Sequence, residues 1–323
     1  MTGRAVQKPP ANLSMSHGRT RIASRGACIY CRARGVKLTD EHVIPLSLGG
    51  QHILEGASCR SCADITTKFE RDVARDMWGD ARISYNVQSR RKKKRKTNIV
   101  LADPADSARR VKVPYSEYPA AMVFYKMGRA GLLEGLPDTV DVSNRWQFVA
   151  VTDDVKAKAF PQKFGVPLTA KFRHMPESFA RLLAKIGYCH LLTVLDPGDF
   201  RPICLPYIMG DRKNPSYVVG GAFEIAEPET VGYRLSTVGF GSPERMMLVA
   251  EIRLFANTFT PIYHVVVGDV FGMEKVAAMD RKVGEITVAP AATWTSAVKQ
   301  EHWMPSVWPL PFWANDDAQE VLT

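Results

Sequence analysis

The chain has 323 residues, 46% of them apolar, and carries 43 Lys and Arg against 33 Asp and Glu, a net charge of +10 and a pI near 9.3. That length allows two domains, or a small module beside a larger one, and the composition is that of an ordinary globular protein, which argues against a disordered or fibrous chain. No run of about 18 uncharged apolar residues is present, so no membrane-spanning helix is expected, and the N-terminal 26 residues are too rich in Arg and Lys, without an apolar centre, for a signal peptide.

Basicity is local. Seven of the ten net charges lie in one run, Arg90, Arg91, Lys92, Lys93, Lys94, Arg95 and Lys96. Clustered cations are the electrostatic footprint of a phosphate-backbone binder. Six cysteines are few for this length. That usage fits a reducing, cytoplasmic compartment, with Cys189 and Cys204 read as buried thiols and no bridge expected.

In chain order, residues 1–24 read as a flexible basic tail. Val36–Val43 reads as a strand ended by Pro45. Gly49 and Gly50 supply the freedom for a reversal, and His52–Ala57 forms a returning strand. Ser58 is a candidate cap. From Cys59 to about Trp78, Ile65, Phe69, Val73 and Met77 recur every four residues on one helical face, with Gly79 as the stop. Arg60, Lys68, Arg71 and Arg75 fall on another face, which reads either as a phosphate-tracking surface or as a solvated one. Ile83–Val87 reads as a short strand. The basic run that follows reads as a nucleic-acid clamp in preference to a solvated linker, because seven adjacent cations repel one another without a polyanion.

A domain boundary is expected near Lys96, and residues 98–315 read as an α+β domain with an antiparallel sheet. Ala120–Leu136 and Pro176–Leu195 read as helices, the second with Phe179, Leu182, Leu183 and Ile186 on one face. Gln147–Thr152, Tyr217–Gly220, Met246–Phe255 and Ile262–Val267 read as strands. His174, His190, His264 and His302 stand alone, and no phosphate loop or dinucleotide fingerprint is present. The acidic tail, 316–323, reads as disordered.

The chemistry lies between two cysteine pairs. Cys28 and Cys31, then 27 residues, then Cys59 and Cys62, have the spacing of a tetrahedral zinc site. Four thiolates close the shell, so this zinc is expected to be structural. Between the pairs stand D-E-H-V-I-P (Asp40–Pro45) and L-G-G (Leu48–Gly50). With the cysteines, these motifs resemble the zinc-containing branch of the HNH endonucleases, over roughly residues 26–78. The resemblance implies a strand–strand–helix (ββα-metal) module clamped by zinc and followed by a larger part. It implies His42 as the general base and Glu41 as ligand of a catalytic Mg²⁺ or Mn²⁺. Histidine is suited to such proton transfer near neutral pH, and such ions take oxygen ligands.

Two departures stand out. The family's asparagine before the second cysteine pair is replaced by I-L-E-G-A-S, and the ligand that follows that pair is replaced by Ala63. Thr66, Thr67 and Glu70 share Ala63's helical face and are candidate substitutes, Glu70 being the better ligand for a hard ion. Asp64 points elsewhere, and His52 is a further candidate from the second strand, with a surface role preferred for it. Because His42 and Glu41 point to opposite sides of an ideal strand, both reach one phosphate only at a strand end or bend. The expected function is metal-dependent cleavage of DNA, with RNA left open. The alternatives are a zinc-stapled nucleic-acid-binding protein without cleavage, and a zinc module serving protein contacts.

Overall fold

The computed structural model describes residues 20–87, 95–106, 108–168, 170–280, 287–290 and 319–322. Most of the N-terminal tail, Arg90 to Lys94 of the basic run, and His302 lie outside the described residues.

The N-terminal module is built from β1 (Thr20–Ile22), β2 (Leu38–His42), β3 (His52–Cys59) and α1 (Arg60–Arg71), with sheet order β1-β3-β2. β1 corrects the reading of residues 20–24 as tail. It runs parallel to β3, Thr20 opposite His52, and Arg21 anchors it on Asp40 and Glu55. The two expected strands form over somewhat different spans. Between them, Gly49 has φ +95°, and a Cβ on Gly50 would lie 1.8 Å from the Ile44 carbonyl oxygen, so glycine is required there.

The helix starts without the expected Ser58 cap. Cys59 occupies the cap position without a side-chain capping bond, and the Ser58 hydroxyl turns to the Cys59 carbonyl. Gly79 does not end the helical region. α1 widens into a π-type turn over Asp72–Met77, where Trp78 N–H bonds the Val73 carbonyl at 3.0 Å, and α2 (Gly79–Ser84) follows. The strand expected at Ile83–Val87 is therefore the end of a helix. The widened turn brings Trp78 into the core, fully buried, edge-on to Phe179 and Phe255, with its indole N–H on the Val123 carbonyl.

Two hairpins come next, β4 (Asn98–Ala102) with β5 (Arg110–Pro114) and β6 (Met122–Lys126) with β7 (Gln147–Val151). β6 overturns the helix expected over Ala120–Leu136. Met122 to Tyr125 are all buried, and a strand covered on both faces has no alternation to distinguish it from a buried helix. Then follow α3 (Asp154–Phe164), β8 (Ala170–Arg173), α4 (Pro176–Leu191), β9 (Arg201–Pro202) and α5 (Leu205–Met209). The large sheet comprises β10 (Val219–Ala226), β11 (Val231–Ser242), β12 (Arg245–Leu254) and β13 (Thr260–Phe271), and it continues past α6 (Met273–Asp280) with β14 (Thr287–Pro290). Its order is β10-β13-β12-β11-β14, all antiparallel, with β9 beside β13. β15 (Gln319–Leu322) pairs with β8, which corrects the reading of that stretch as disordered. The fold is α+β, with antiparallel sheets in the larger part, and no helix among the described residues is long and apolar enough to cross a membrane.

Helix α4 is the middle layer. Its sheet-facing side packs so closely that a Cβ on Gly187 would lie 3.1 Å from that of Val265. On its other side Ser178, Arg181, Lys185 and Tyr188, at spacings of three and four residues, meet the module. Ser178 donates to Asp72, Arg181 lies over the Phe69 ring, and Tyr188 donates to the Ile29 carbonyl. Arg25 of the module covers the carbonyls of Leu192 and Leu195 just past the helix end. The module and the larger part share one apolar core. Cys189 and Cys204 are buried free thiols.

His190, 3% exposed on α4, has its pKa pushed down to about 4 by burial, with His52 adding to the effect. The unfolded chain therefore takes up a proton at this residue near pH 6.5, and the folded chain only near pH 4. Stability from neutral His190 is complete above pH 6.5 and falls as pH drops to about 4, by about 3 kcal/mol. Chemical denaturation of wild type and His190→Phe across that range is expected to give a shallower pH dependence for the variant.

Candidate active site

The first knuckle is a tight turn. Arg32 N–H bonds the Cys28 carbonyl at 2.9 Å, Cys28 N–H bonds the Ala33 carbonyl at 2.9 Å, and Arg32 takes φ +64°. It faces the start of α1, and one sulfur each from Cys28, Cys31, Cys59 and Cys62 lies within 4.8 Å of every other. A tetrahedral zinc with Zn–S of about 2.3 Å needs sulfurs roughly 3.8 Å apart, and Cys31 and Cys59 are at 3.6 Å. Cys59 N–H points at the Cys28 sulfur at 3.4 Å. Burial raises the Cys62 pKa, while the Ser61 hydroxyl lowers that of Cys59 to about 6. Four thiolates this close require a cation to compensate them, and the donor set fits zinc. Among the described residues this is the one group of three or more His, Cys, Asp or Glu side chains that converges in this way.

The cluster fixes the end of β3 and the start of α1 against the turn at Cys28–Cys31, and a cleft of about 730 Å³ opens between α1 and the end of β2. β2 is distorted where it enters the cleft. Thr39 stands opposite Ser58 but Glu41 opposite Leu54, so Glu55, Gly56 and Ala57 all face the single Asp40. The strand then ends at His42. Glu41 and His42 consequently line the same cleft, the arrangement a strand end permits and an ideal strand forbids. Across from them α1 presents Thr66, Thr67 and Glu70, and the wall carries Arg71, Arg75 and Arg82. Thr66 is buried with its hydroxyl on the Ala63 carbonyl at 3.3 Å. Asp64 pairs with Arg60 at 3.0 Å, and His52 faces the Tyr233 hydroxyl at 3.2 Å; neither lines the cleft.

Two participants were not expected. Arg82 comes from α2, whose last two residues were expected in a strand, and donates to the Ser47 carbonyl at 2.9 Å, bracing the loop after Pro45. Burial, with the charges of Arg95 and Arg75, lowers its pKa to about 10, which leaves it a cation at neutral pH. Lys185 comes from α4 and is fully buried. Its ammonium is 2.8 Å from Glu41 Oε1 and 2.8 Å from Glu70 Oε1, and it also donates to the His42 carbonyl. Burial opposes the lysine's charge, but Glu41 and Glu70 outweigh it and its pKa is raised. For Glu70 burial is the larger influence and raises the pKa, against the pull of Lys185. A lone cation inside L-L-A-K-I-G-Y was the available signal, because lysine is almost never fully buried without a partner.

Lys185 thus brings two carboxylates from distant elements onto one cation, and each carboxylate has a second oxygen. Hard oxygen donors on one side of a cleft and guanidinium groups on its wall fit a divalent ion of the magnesium class together with a phosphate, since such ions use one or two carboxylates and complete their shells with water and phosphate oxygens. Of the basic run, Arg95 donates to the Val87 carbonyl and to Asn86, at the end of the segment that carries Arg82.

No curated protein and no solved structure matches the chain. Residues 28–77, the span that carries the four cysteines, Glu41, His42 and Glu70, match the HNH endonuclease family.

Proposed function

We propose that the cleft hydrolyses phosphodiester bonds in DNA. One observation carries the reading: a histidine at a strand end and a carboxylate beside it line the same cleft as Arg71, Arg75 and Arg82, in a module whose helix start is tied to the Cys28–Cys31 turn by a four-cysteine cluster. The arginines draw in the phosphate backbone. His42 accepts a proton from a water, and the resulting hydroxide attacks phosphorus in line with the leaving oxygen. The P–O3′ bond breaks, the 3′ oxygen leaves and takes up a proton, and the products are a 5′ phosphate and a 3′ hydroxyl. Glu41 and Glu70 would hold a Mg²⁺ or Mn²⁺ ion, which when bound stabilises negative charge on the phosphate and the departing oxygen.

The purified chain is expected to nick or cut plasmid DNA when Mg²⁺ or Mn²⁺ is supplied and to stop when the ion is chelated. The absence of cleavage with every divalent ion tried, alongside retained DNA binding, would favour a binding module. That second reading is supported by Ala63, which offers no ligand atom where the family has one.

The basic run gives this reading a separate prediction. Each phosphate contact contributes a slope of about 0.9 to the fall of log K with log salt. Replacing Arg90–Lys96 by glutamine is expected to flatten that slope by several units in a binding titration. An unchanged slope would leave the run as a linker.

A further inference from the structure

We propose that Lys185 is a positioning residue of the cleft, so that the central helix of the larger part completes a site whose two carboxylates and histidine lie in the N-terminal module. The inference rests on the nuclease reading above for its chemistry, but its geometry is independent of it.

Glu41 reaches the site from β2 and Glu70 from the last turn of α1. Each carboxylate gives one oxygen to the same ammonium at 2.8 Å, and the same ammonium takes the carbonyl of His42. One side chain therefore sets two candidate ion ligands and the backbone of the candidate base relative to each other. Lys185 is fully buried and absent from the residues lining the cleft, so it acts from behind the carboxylates and does not meet substrate. It also sets the charge of the site. Two adjacent carboxylates carry −2, and the ammonium reduces this to −1. That leaves an ion held less tightly than between two bare carboxylates, and held on the cleft side. It further explains how the site keeps order with Ala63 where a ligand is expected: the third tie on the carboxylates is a lysine from another element.

The opposing structural reading is that Lys185 only neutralises buried acids. The two readings separate when Mn²⁺ affinity and turnover are measured on the full chain. Lys185→Met removes the charge and the terminal atom and keeps most of the apolar stem. If Lys185 positions the site, Mn²⁺ binds Lys185→Met at least tenfold more tightly by calorimetry, because the ion takes the vacated place between the carboxylates. Cleavage falls at least a hundredfold at saturating Mn²⁺, because the ion is then withdrawn from the cleft. Should Lys185→Met fail to fold, the double variant Lys185→Met with Glu70→Gln removes one charge of each sign. Its Mn²⁺ affinity is expected within a few-fold of wild type, with cleavage still low. Folded variants that bind Mn²⁺ and cleave as wild type does would overturn the inference and leave the nuclease reading standing. A wild type that cuts nothing, with Mn²⁺ affinity that still rises in Lys185→Met, would sink the nuclease reading and leave the clamp.

Discussion

His42→Ala is expected to lose about 10³-fold in cleavage rate with no change in fold, DNA affinity or zinc content. A positioned general base supplies about 10²–10⁴-fold. His42 is suited to isolation as a variable because it ends β2, so its side chain contributes to the cleft while the strand is held by its backbone pairing to Ile53 and by Lys185 on its carbonyl. Truncation of the ring leaves those backbone bonds intact. Plasmid cleavage under single-turnover conditions, with melting temperature and a DNA-binding titration run in parallel, reads all three quantities. Wild type and His42→Ala that cut at equal rates would remove His42 from the chemistry. Loss of DNA binding together with cleavage would show that the ring holds the substrate and does not activate water.

Cys62→Ser is expected to have the largest effect on stability. Structural zinc sites in small modules contribute about 10–16 kcal/mol of apparent binding free energy, which is folding free energy when the module does not form without metal. Here the loss spreads further. The loop between Cys28 and Cys31 carries Ile29 and Tyr30, both buried, whose partners Tyr188 and Cys189 belong to α4. Releasing the cluster loosens a face of the core shared with the larger part. Metal analysis is expected to find one zinc per chain in wild type and none in Cys62→Ser, with Tm lower by on the order of 10 °C or more. Chelation is expected to lower the wild-type Tm and leave that of the variant unchanged. A well-folded wild type without zinc would refute the assignment.

Much of the module was legible because its signals are local. Cysteine spacing, the Glu41–His42 pair before Pro45, two glycines at a reversal and a four-residue apolar period each act over a few residues, where chain geometry leaves few alternatives. Reading failed where burial on both sides erases periodicity, as at Met122–Tyr125, and where a helix is interrupted without being ended, as at Asp72–Trp78. Gly79 looks like a stop because glycine favours helix ends. The buried Trp78 beside it supplies the packing that restarts the helix, and no local pattern reports that packing.

The sequence by itself determined the cysteine cluster and which residue types could carry chemistry, since thiolate spacing and side-chain chemistry are properties of short segments. Tertiary structure alone decided that Glu41 and Glu70 share a cation, that Arg82 joins the wall of the cleft, and that a helix beginning more than 130 residues after His42 supplies the ammonium between them. The physical reason is that a buried charge is tolerated only with compensating partners, and partners that distant in sequence meet only after the chain has folded around them.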